Sequence, residues 1–479
     1  MRELVTVSLK NKSGIIKCSP HIFKLIREKF SVPNPSFQSR RFSPRRYIIT
    51  PSGAFEIGLW EELRSYIASM NIPIEIKTSP EFLEKFSPKF PSYEIQNIDG
   101  FTYYDHQKNT IEEFLKNGRG IGILATSAGK SVLIAGLLKT ILHYNPNFRI
   151  LIIVPNTSLV SQLYYSFINE FNMPNVERWG DGYIPKWDKN IIVANNQILY
   201  SDVKYTISQV KDFDVVVVDE VHRLGEKKNQ INKVVHNITT PHKFGLTGTL
   251  PDNYMAAWNI IGKIGPILYE ETSYAIRQKG VASEVEIEVI LCKHTTEPEK
   301  IDASQKFVPT AKYRKEQEFL YRHSLRNKII EKLAEKTKGN TLILVDVLEH
   351  GERLLQSLKN NIPDKQIYFV KGSVDTDDRK FITDLMEEQD NIVVVAMSQI
   401  FSTGISVNNL PFIIFSCIGK SVVKISQSIG RSMRLHKNKT KSVIYDIADD
   451  TEYSFDHLKE RLKLYKKQQI AFKIKKITI

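Results

Sequence analysis

The sequence predicts an α/β protein: two α/β domains in tandem, each built on a parallel sheet, preceded by a small α+β module. Three observations lead there. At 479 residues the chain is longer than one ordinary core can fill. From about residue 100, short continuous apolar runs alternate with helical patterns, as strands covered on both faces do. After a stretch of weaker pattern the same alternation starts again near residue 341.

Taken in order, residues 1–90 form the accessory module, with short alternating segments at Leu4 to Leu9 and Tyr47 to Thr50. Two amphipathic helix candidates lie at His21 to Phe30 and Leu59 to Met70. Residues 91–280 form the first α/β domain, with candidate strands Gly120 to Leu124, Arg149 to Val154, Ile191 to Ala194, Val215 to Val218 and Lys243 to Leu246. Between the two series, Glu284 to Val289 alternates like an edge strand and Lys312 to Lys338 reads as charged helix. Residues 281–450 form the second domain, with strands expected at Thr341 to Val345, Gln366 to Val370, Asn391 to Ala396, Phe412 to Ser416 and Ser442 to Ile447. Residues 451–479 read as a basic helical tail, rich in lysine and packed on the second domain.

Hydrophobic and charged fractions of 42% and 25% are those of a globular chain. A net charge of +14 and a pI near 9.3 point to a polyanionic partner, nucleic acid before an anionic membrane. No apolar run approaches a membrane span, so no membrane partner is expected. Cys18, Cys292 and Cys417 are scattered, which suggests a reducing, cytoplasmic setting and offers no zinc spacing. In the module, Arg40, Arg41, Arg45 and Arg46 are interleaved with Phe37, Phe42 and Tyr47. Guanidinium groups beside rings suit a nucleic-acid contact, and equally suit a solvated loop over the module's own core.

The stretch Ala125-Thr126-Ser127-Ala128-Gly129-Lys130-Ser131 follows an apolar strand and opens a helix. Backbone N–H groups at such a turn point at an anion, so the loop is expected to cradle the phosphates of ATP. Lys130 would set a charge on the β and γ phosphates and Ser131 a hydroxyl on Mg2+. Leu124 stands where a full phosphate-loop motif has glycine, and Ser127 where many nucleic-acid motors have one. Some ninety residues on, the valine run Val215 to Val218 ends in Asp219-Glu220-Val221-His222. Carboxylates at the C-terminal end of a central parallel strand sit where open sheets bind ligands. Asp219 is expected to hold Mg2+, directly or through water, and Glu220 to orient and deprotonate the attacking water.

With Asp-Glu-x-His after a phosphate loop, the chain resembles the superfamily 2 helicases, which implies two RecA-like domains. Tyr104-Asp105-His106-Gln107 resembles the segment whose glutamine reads adenine, an amide being able to donate and accept together. Pro155, Asn156, Thr157 and Gln162 fall in a stretch similar to the motif that grips a strand's backbone, and Ala194 to Gln197 in a weaker match to the next. Thr247-Gly248-Thr249 resembles the motif that couples the hydrolysis site to the nucleic-acid site, His222 serving the same coupling. Ser402, Thr403 and Gly404 look like the fifth motif, the hydroxyls facing nucleic acid and Gly404 the nucleotide. Many relatives have aspartate where Ser406 stands. Gln427, Arg431 and Arg434 look like the sixth motif. Its arginines, three apart on one helical face, would reach across an interdomain cleft to stabilise the charge formed as the γ-phosphate leaves.

The motif set narrows the resemblance to the UvsW-type recombination helicases of bacteriophages, over roughly residues 95–450. That family implies ATP-driven unwinding and branch migration of forks, Holliday junctions and R-loops. A monomer acting on branched DNA without sequence preference is expected, in the host cytoplasm if the chain is of phage origin. Alternatives are a translocating restriction-type subunit, an RNA helicase, and a strand-annealing protein without enzymatic activity. A metabolic phosphate-loop kinase would leave Gln427 to Arg434 unused.

Overall fold

The computed structural model describes residues 3–34, 44–78, 90, 93–125, 127–225, 231–251, 253–296, 309–371, 376–398, 407–416, 419 and 421–479. The chain divides into two compact units, one of Met1–Leu124 with Gly129–Glu271, the other of Ala125–Ala128 with Thr272–Ile479.

The first unit opens with β1 (Val5–Leu9), β2 (Ser13–Lys17), β3 (Ser31–Pro33), β4 (Arg45–Tyr47), β5 (Ala54–Glu56) and β6 (Ile74–Ile76). Four of them form a sheet in the order β5-β2-β1-β6, and β3 pairs with β4 alone. Helices Pro20–Lys29 and Trp60–Ser69 close its apolar face with Ile22, Ile26, Leu63 and Ile67. A strand expected at Tyr47 to Thr50 lies instead at β4, on the arginine pair itself. Arg45 there donates to the Ser31 hydroxyl at 2.6 Å and Arg46 to the Asn34 side chain at 2.9 Å, tying both arginines into the hairpin.

This module does not stand apart. Val5, Ile26 and Trp60 belong to one continuous buried cluster with Ile121, Val216 and Ile261 of the adjoining α/β domain. The approach is so close at Gly58 that a Cβ there would lie 2.1 Å from the Ile261 carbonyl oxygen. Around that contact Lys12 donates to Asn237 at 2.9 Å and His236 meets Glu56 at 3.1 Å.

The α/β domain carries β7 (Gly120–Leu124), β8 (Ile150–Val154), β9 (Val176–Trp179), β10 (Ile191–Asn195), β11 (Val215–Asp219), β12 (His242–Thr247) and β13 (Ile267–Glu271). All pair in parallel, in the order β13-β7-β12-β11-β8-β10-β9. β7, β8 and β10 are buried at every residue, the source of their unbroken apolar runs. Because the strands are parallel, the loops after β7, β11, β8, β10 and β9 all leave from one edge of the sheet.

The second unit holds β14 (Glu284–Lys293), β15 (Thr341–Val345), β16 (Gln366–Val370), β17 (Ile392–Met397), β18 (Phe412–Phe415), β19 (Lys441–Asp449) and β20 (Ala471–Thr478). They form a second parallel sheet, β16-β17-β15-β18-β19-β14-β20. Two tandem RecA-like domains preceded by a small α+β sheet is therefore the architecture. The tail departs from the helical reading after Lys467: the helix Glu452–Lys467 gives way to β20. That strand satisfies the outer ladder of β14, so β14 is interior by one place rather than an edge. Lys312 to Lys338 is two helices, Pro309–Arg322 and Ser324–Lys336, broken where the His323 ring accepts the Arg326 N–H.

Two buried ion pairs hang helices on β19. Arg326 grips Asp449 at 2.8 and 3.0 Å, with His294 on the same carboxylate at 2.9 Å. Arg461 grips Asp446 at 2.9 Å, joined by the Tyr465 hydroxyl at 2.9 Å.

Candidate functional site

At the loop-bearing edge of the first sheet, Gly129 turns the chain with φ 71° into the helix Lys130–Tyr144. Glycine suits the position: the backbone is left-handed, and a Cβ would lie 2.4 Å from Gln107 Nε2 and push that amide aside. The turn brings Lys130 onto the next motif. Its ammonium donates to Glu220 Oε1 at 2.7 Å and lies 3.5 Å from Asp219 Oδ1, all three side chains being less than a fifth exposed. Burial alone would lower the Lys130 pKa, but the two carboxylates outweigh it and hold the ammonium well above its ordinary value. Burial would raise Glu220, yet Lys130 and His222 drive it far below the usual carboxylate range. Asp219, at the longer distance, stays raised because burial outweighs Lys130 and Glu220 repels it.

Glu220 itself has φ 51°, a left-handed strain rare for a side-chain-bearing residue and concentrated at functional sites. The conformation swings its carboxylate off the strand line of β11. His222 Nδ1 then lies 3.2 Å from Glu220 Oε2 and 3.0 Å from the Thr247 hydroxyl, and Thr247 in turn donates to the Thr249 carbonyl at 2.9 Å. A continuous polar line thus runs from the phosphate-loop lysine through Glu220 and His222 to Thr247-Gly248-Thr249 at the end of β12.

Gln107 is buried and its amide is engaged, Oε1 accepting the Tyr104 N–H at 3.0 Å and Nε2 donating to the Gly129 carbonyl at 3.2 Å. Tyr104 is half exposed beside it. Ala128 is buried and Ser131 exposed in the first turn of the helix, while the Ser127 hydroxyl is buried with no hydrogen-bond partner. A left-handed glycine turn and a caged lysine at a helix start form a donor set that fits a phosphate chain. Among the described residues no three His, Cys, Asp or Glu side chains cluster as a protein-only metal cage. Magnesium bound largely by phosphate and water needs only one or two protein oxygens, and Ser131 and Asp219 are the oxygens beside the loop.

Farther along the edge, Asn156 caps the helix Thr157–Tyr165, its side chain accepting the Leu159 N–H at 3.0 Å. The Pro155 carbonyl accepts from Arg223 at 3.3 Å, and Thr157 and Gln162 are exposed. Asn195 repeats the cap for Ile198 at 3.0 Å. Both asparagines thus have a structural duty that the motif match did not reveal, legible in each case as asparagine opening a helix after an apolar strand. In the second unit Gln427 and Arg431 lie on the helix Val422–Ser432, Gln427 half-buried and Arg431 buried. Arg434 does not share that helix; it lies two residues beyond, where its carbonyl accepts from Ser283 at 3.2 Å and burial lowers its pKa against the pull of Glu387. Thr126, Arg40, Arg41, Ser402, Thr403 and Gly404 lie outside the described residues.

Residues 100–252 match the family described as the res subunit of type III restriction enzymes, and residues 324–436 the helicase conserved C-terminal domain. The ATP-dependent DNA helicase uvsW of Enterobacteria phage T4 is 27% identical, covering 94% of this chain and 93% of that one. Putative helicase 22 of a Sulfolobus islandicus filamentous virus is 22% identical over 81% of this chain and 71% of its own length. The solved type ISP restriction-modification enzyme LlaBIII bound to DNA shares the fold, with a TM-score of 0.60 over 88% of this chain and 36% of that one at 13% identity. With both halves of the helicase core matched in order, and the phosphate loop, Asp-Glu-x-His and Thr-Gly-Thr motifs joined in one polar line, the chain belongs to superfamily 2 of the helicases and is an ATP-dependent helicase.

Proposed function

We propose that the chain remodels branched DNA, driven by hydrolysis of ATP with Mg2+, and does so without sequence preference as a monomer. The observation that supports the nucleotide half is the Lys130 ammonium caged by Asp219 and Glu220 just after a left-handed glycine turn. Lys130 would exchange these carboxylates for the β and γ phosphates, and Ser131 and Asp219 would hold the metal, which supplies charge neutralisation at the phosphates. Freed from Lys130, the Glu220 carboxylate is placed to take the proton of the attacking water, with His222 fixing its second oxygen. Gln107 would turn its amide from the Gly129 carbonyl to the adenine edge. Arg431 and Arg434, on the sixth-motif resemblance, would stabilise the leaving charge.

The DNA half rests on similarity to the T4 helicase along nearly its whole length, and on a net charge of +14. Because His222 links Glu220 to Thr247, hydrolysis and strand movement would share one hydrogen-bonded line. The match to the restriction-enzyme family keeps translocation along duplex without strand separation as a second reading. One panel tests both: ATP hydrolysis and strand release on single strands, duplex, forks, Holliday junctions and R-loops at fixed salt. Strand release from the branched substrates is expected in the wild type. Glu220→Gln should lose hydrolysis on all of them while keeping DNA binding. Duplex-stimulated hydrolysis with no strand release would favour the second reading, and undiminished hydrolysis by Glu220→Gln would overturn the assignment of the site.

A further inference from the structure

The loop after β9 has a shape that neither the ATP site nor the motif residues explain. Within eight residues it holds four left-handed positions, Gly180 at φ 123°, Asp181 at 55°, Gly182 at 80° and Trp187 at 67°. At Asp181 and Trp187, which carry side chains, such a backbone is costly and persists only where its surroundings fix it. Here they do. Gly180 and Tyr183 exchange both backbone hydrogen bonds, at 3.0 and 3.1 Å. The Glu177 carboxylate accepts the Lys186 and Trp187 N–H groups at 3.0 and 2.9 Å. The Trp187 ring stands edge-on to Trp179 at 5.1 Å, which anchors the loop's return to the core. A rigid loop of this kind ought to hide apolar side chains, yet its tip presents them: Tyr183 is 50% and Ile184 77% exposed.

Behind the tip sits a cation in an aromatic nest. The Arg178 guanidinium lies 3.2 Å from the centre of the Tyr183 ring, 4.8 Å from Tyr164 and 5.4 Å from Tyr165. The Ser161 hydroxyl accepts from Arg178 at 3.1 Å and donates to Asp181 at 2.6 Å, which locks the stack to the loop. The Asp181 carboxylate is thus one hydroxyl away from Arg178, and Tyr165 is half exposed beside the nest. A planar cation and exposed rings held at fixed angles are what a nucleobase stacks on.

Its place in the sheet agrees. Along the loop-bearing edge the order runs from the phosphate loop (β7) through Thr247 (β12), Asp219-Glu220 (β11), Asn156 (β8) and Asn195 (β10) to this tip (β9). A Cβ at Gly180 would touch the Asn195 side chain at 3.1 Å, so the base of the loop abuts the helix cap after β10. With strands about 4.8 Å apart, three steps separate Glu220 from β9, roughly 14 Å.

We infer that Tyr183 and Ile184, backed by the Arg178, Tyr164 and Tyr165 stack, form a wedge that takes the terminal unstacked base of a nucleic-acid strand where a duplex opens. This rests on the proposed helicase reading, and the test separates the two. A fork carrying 2-aminopurine at the junction is bound without nucleotide, and unwinding and single-strand-stimulated ATP hydrolysis are followed alongside. The variants are the double substitution Y183A with I184A, and Y183F, whose ring is kept. The wild type and Y183F should quench 2-aminopurine on binding. The double variant should lose that quench, bind the fork about tenfold more weakly and unwind at least tenfold more slowly, while hydrolysing ATP on plain single strands as the wild type does. A wild type that unwinds beside a double variant that quenches and unwinds equally well would overturn the wedge. Equal loss of single-strand-stimulated hydrolysis would overturn it too, by assigning the loop to the fold of the domain. A wild type without strand release on any substrate would instead overturn the helicase reading of the whole site.

Discussion

Replacing Lys130 with methionine takes the cation out from between two carboxylates while keeping the length of the side chain. At 2.7 Å from Glu220 and 3.5 Å from Asp219, the gross attractions at an effective dielectric constant near 20 are about 6 and 5 kcal/mol. Desolvation offsets most of this, and removing one partner of a buried pair costs about 3–5 kcal/mol, because the charges left behind are uncompensated. For a unit of this size that lowers the melting temperature by roughly 10 °C. The pH dependence must shift with it. In the wild type Glu220 is depressed, so its contribution is complete above its unfolded value and is lost as pH falls through the folded one. In the variant burial and mutual repulsion raise the pair, the folded state binds more protons than the unfolded, and stability falls as pH rises. Relative to wild type, melting of the variant between pH 5 and 7 should therefore worsen with increasing pH. Hydrolysis of ATP should fall by about 10²–10³, the loss usual when one charge-stabilising group is removed. Melting curves across pH with a coupled phosphate-release assay measure both. A variant that hydrolyses ATP within threefold of wild type and melts at the same temperature at every pH would refute the cage.

Gly58→Ala should destabilise the first unit by about 1–3 kcal/mol or more, since the new methyl must displace the backbone oxygens of Ile261 and Gly262, now 2.1 and 2.6 Å from its ideal position; an unchanged melting temperature would contradict that contact. Asp449 offers the opposite test at the second sheet. Burial would raise its carboxyl, but Arg326 and His294 outweigh burial and bring it down to about 2, from an ordinary 3.8. It therefore adds on the order of 2 kcal/mol above its unfolded value, lost as pH falls from about 4 toward 2. Asp449→Asn should flatten that acid limb in a denaturation series and cost about 3–5 kcal/mol at neutral pH; an acid limb identical to wild type would contradict the assignment.

What the sequence made legible follows from burial. Strands buried on both faces, such as Ile150–Val154 and Ile191–Asn195, have no polar alternation to hide them, and were found within a residue or two. Missed strands lie at or next to an edge. Val176–Trp179 carries charged residues at its half-buried middle, and Ala471–Thr478 carries lysines on exposed faces and reads as the polar side of a helix. Glu284–Lys293 reads as a strand but as an edge, because its outer neighbour comes from 185 residues later in the chain. At the site, the cluster of Lys130, Asp219 and Glu220 could be read from loop chemistry, whereas the strain at Glu220 and the engaged amide of Gln107 could not. Those depend on which backbone groups tertiary packing leaves nearby. Likewise Arg434 looked like a helical neighbour of Arg431 because spacing assumes that a helix continues, and this one stops at Ser432.

The shared interior of the N-terminal module has a mechanical consequence. Val5, Ile26 and Trp60 are packed in the same dry cluster as Ile121 on β7, the strand that ends at the phosphate loop, and Val216 on β11, the strand that ends at Asp219. A close-packed interior is stiff and passes displacement on with little loss. The module is thus a fixed arm and not a tethered one: a load on its surface reaches the strands beneath Lys130 and Asp219 without slack, and a nucleic acid resting there would be indexed to the nucleotide site by packing alone.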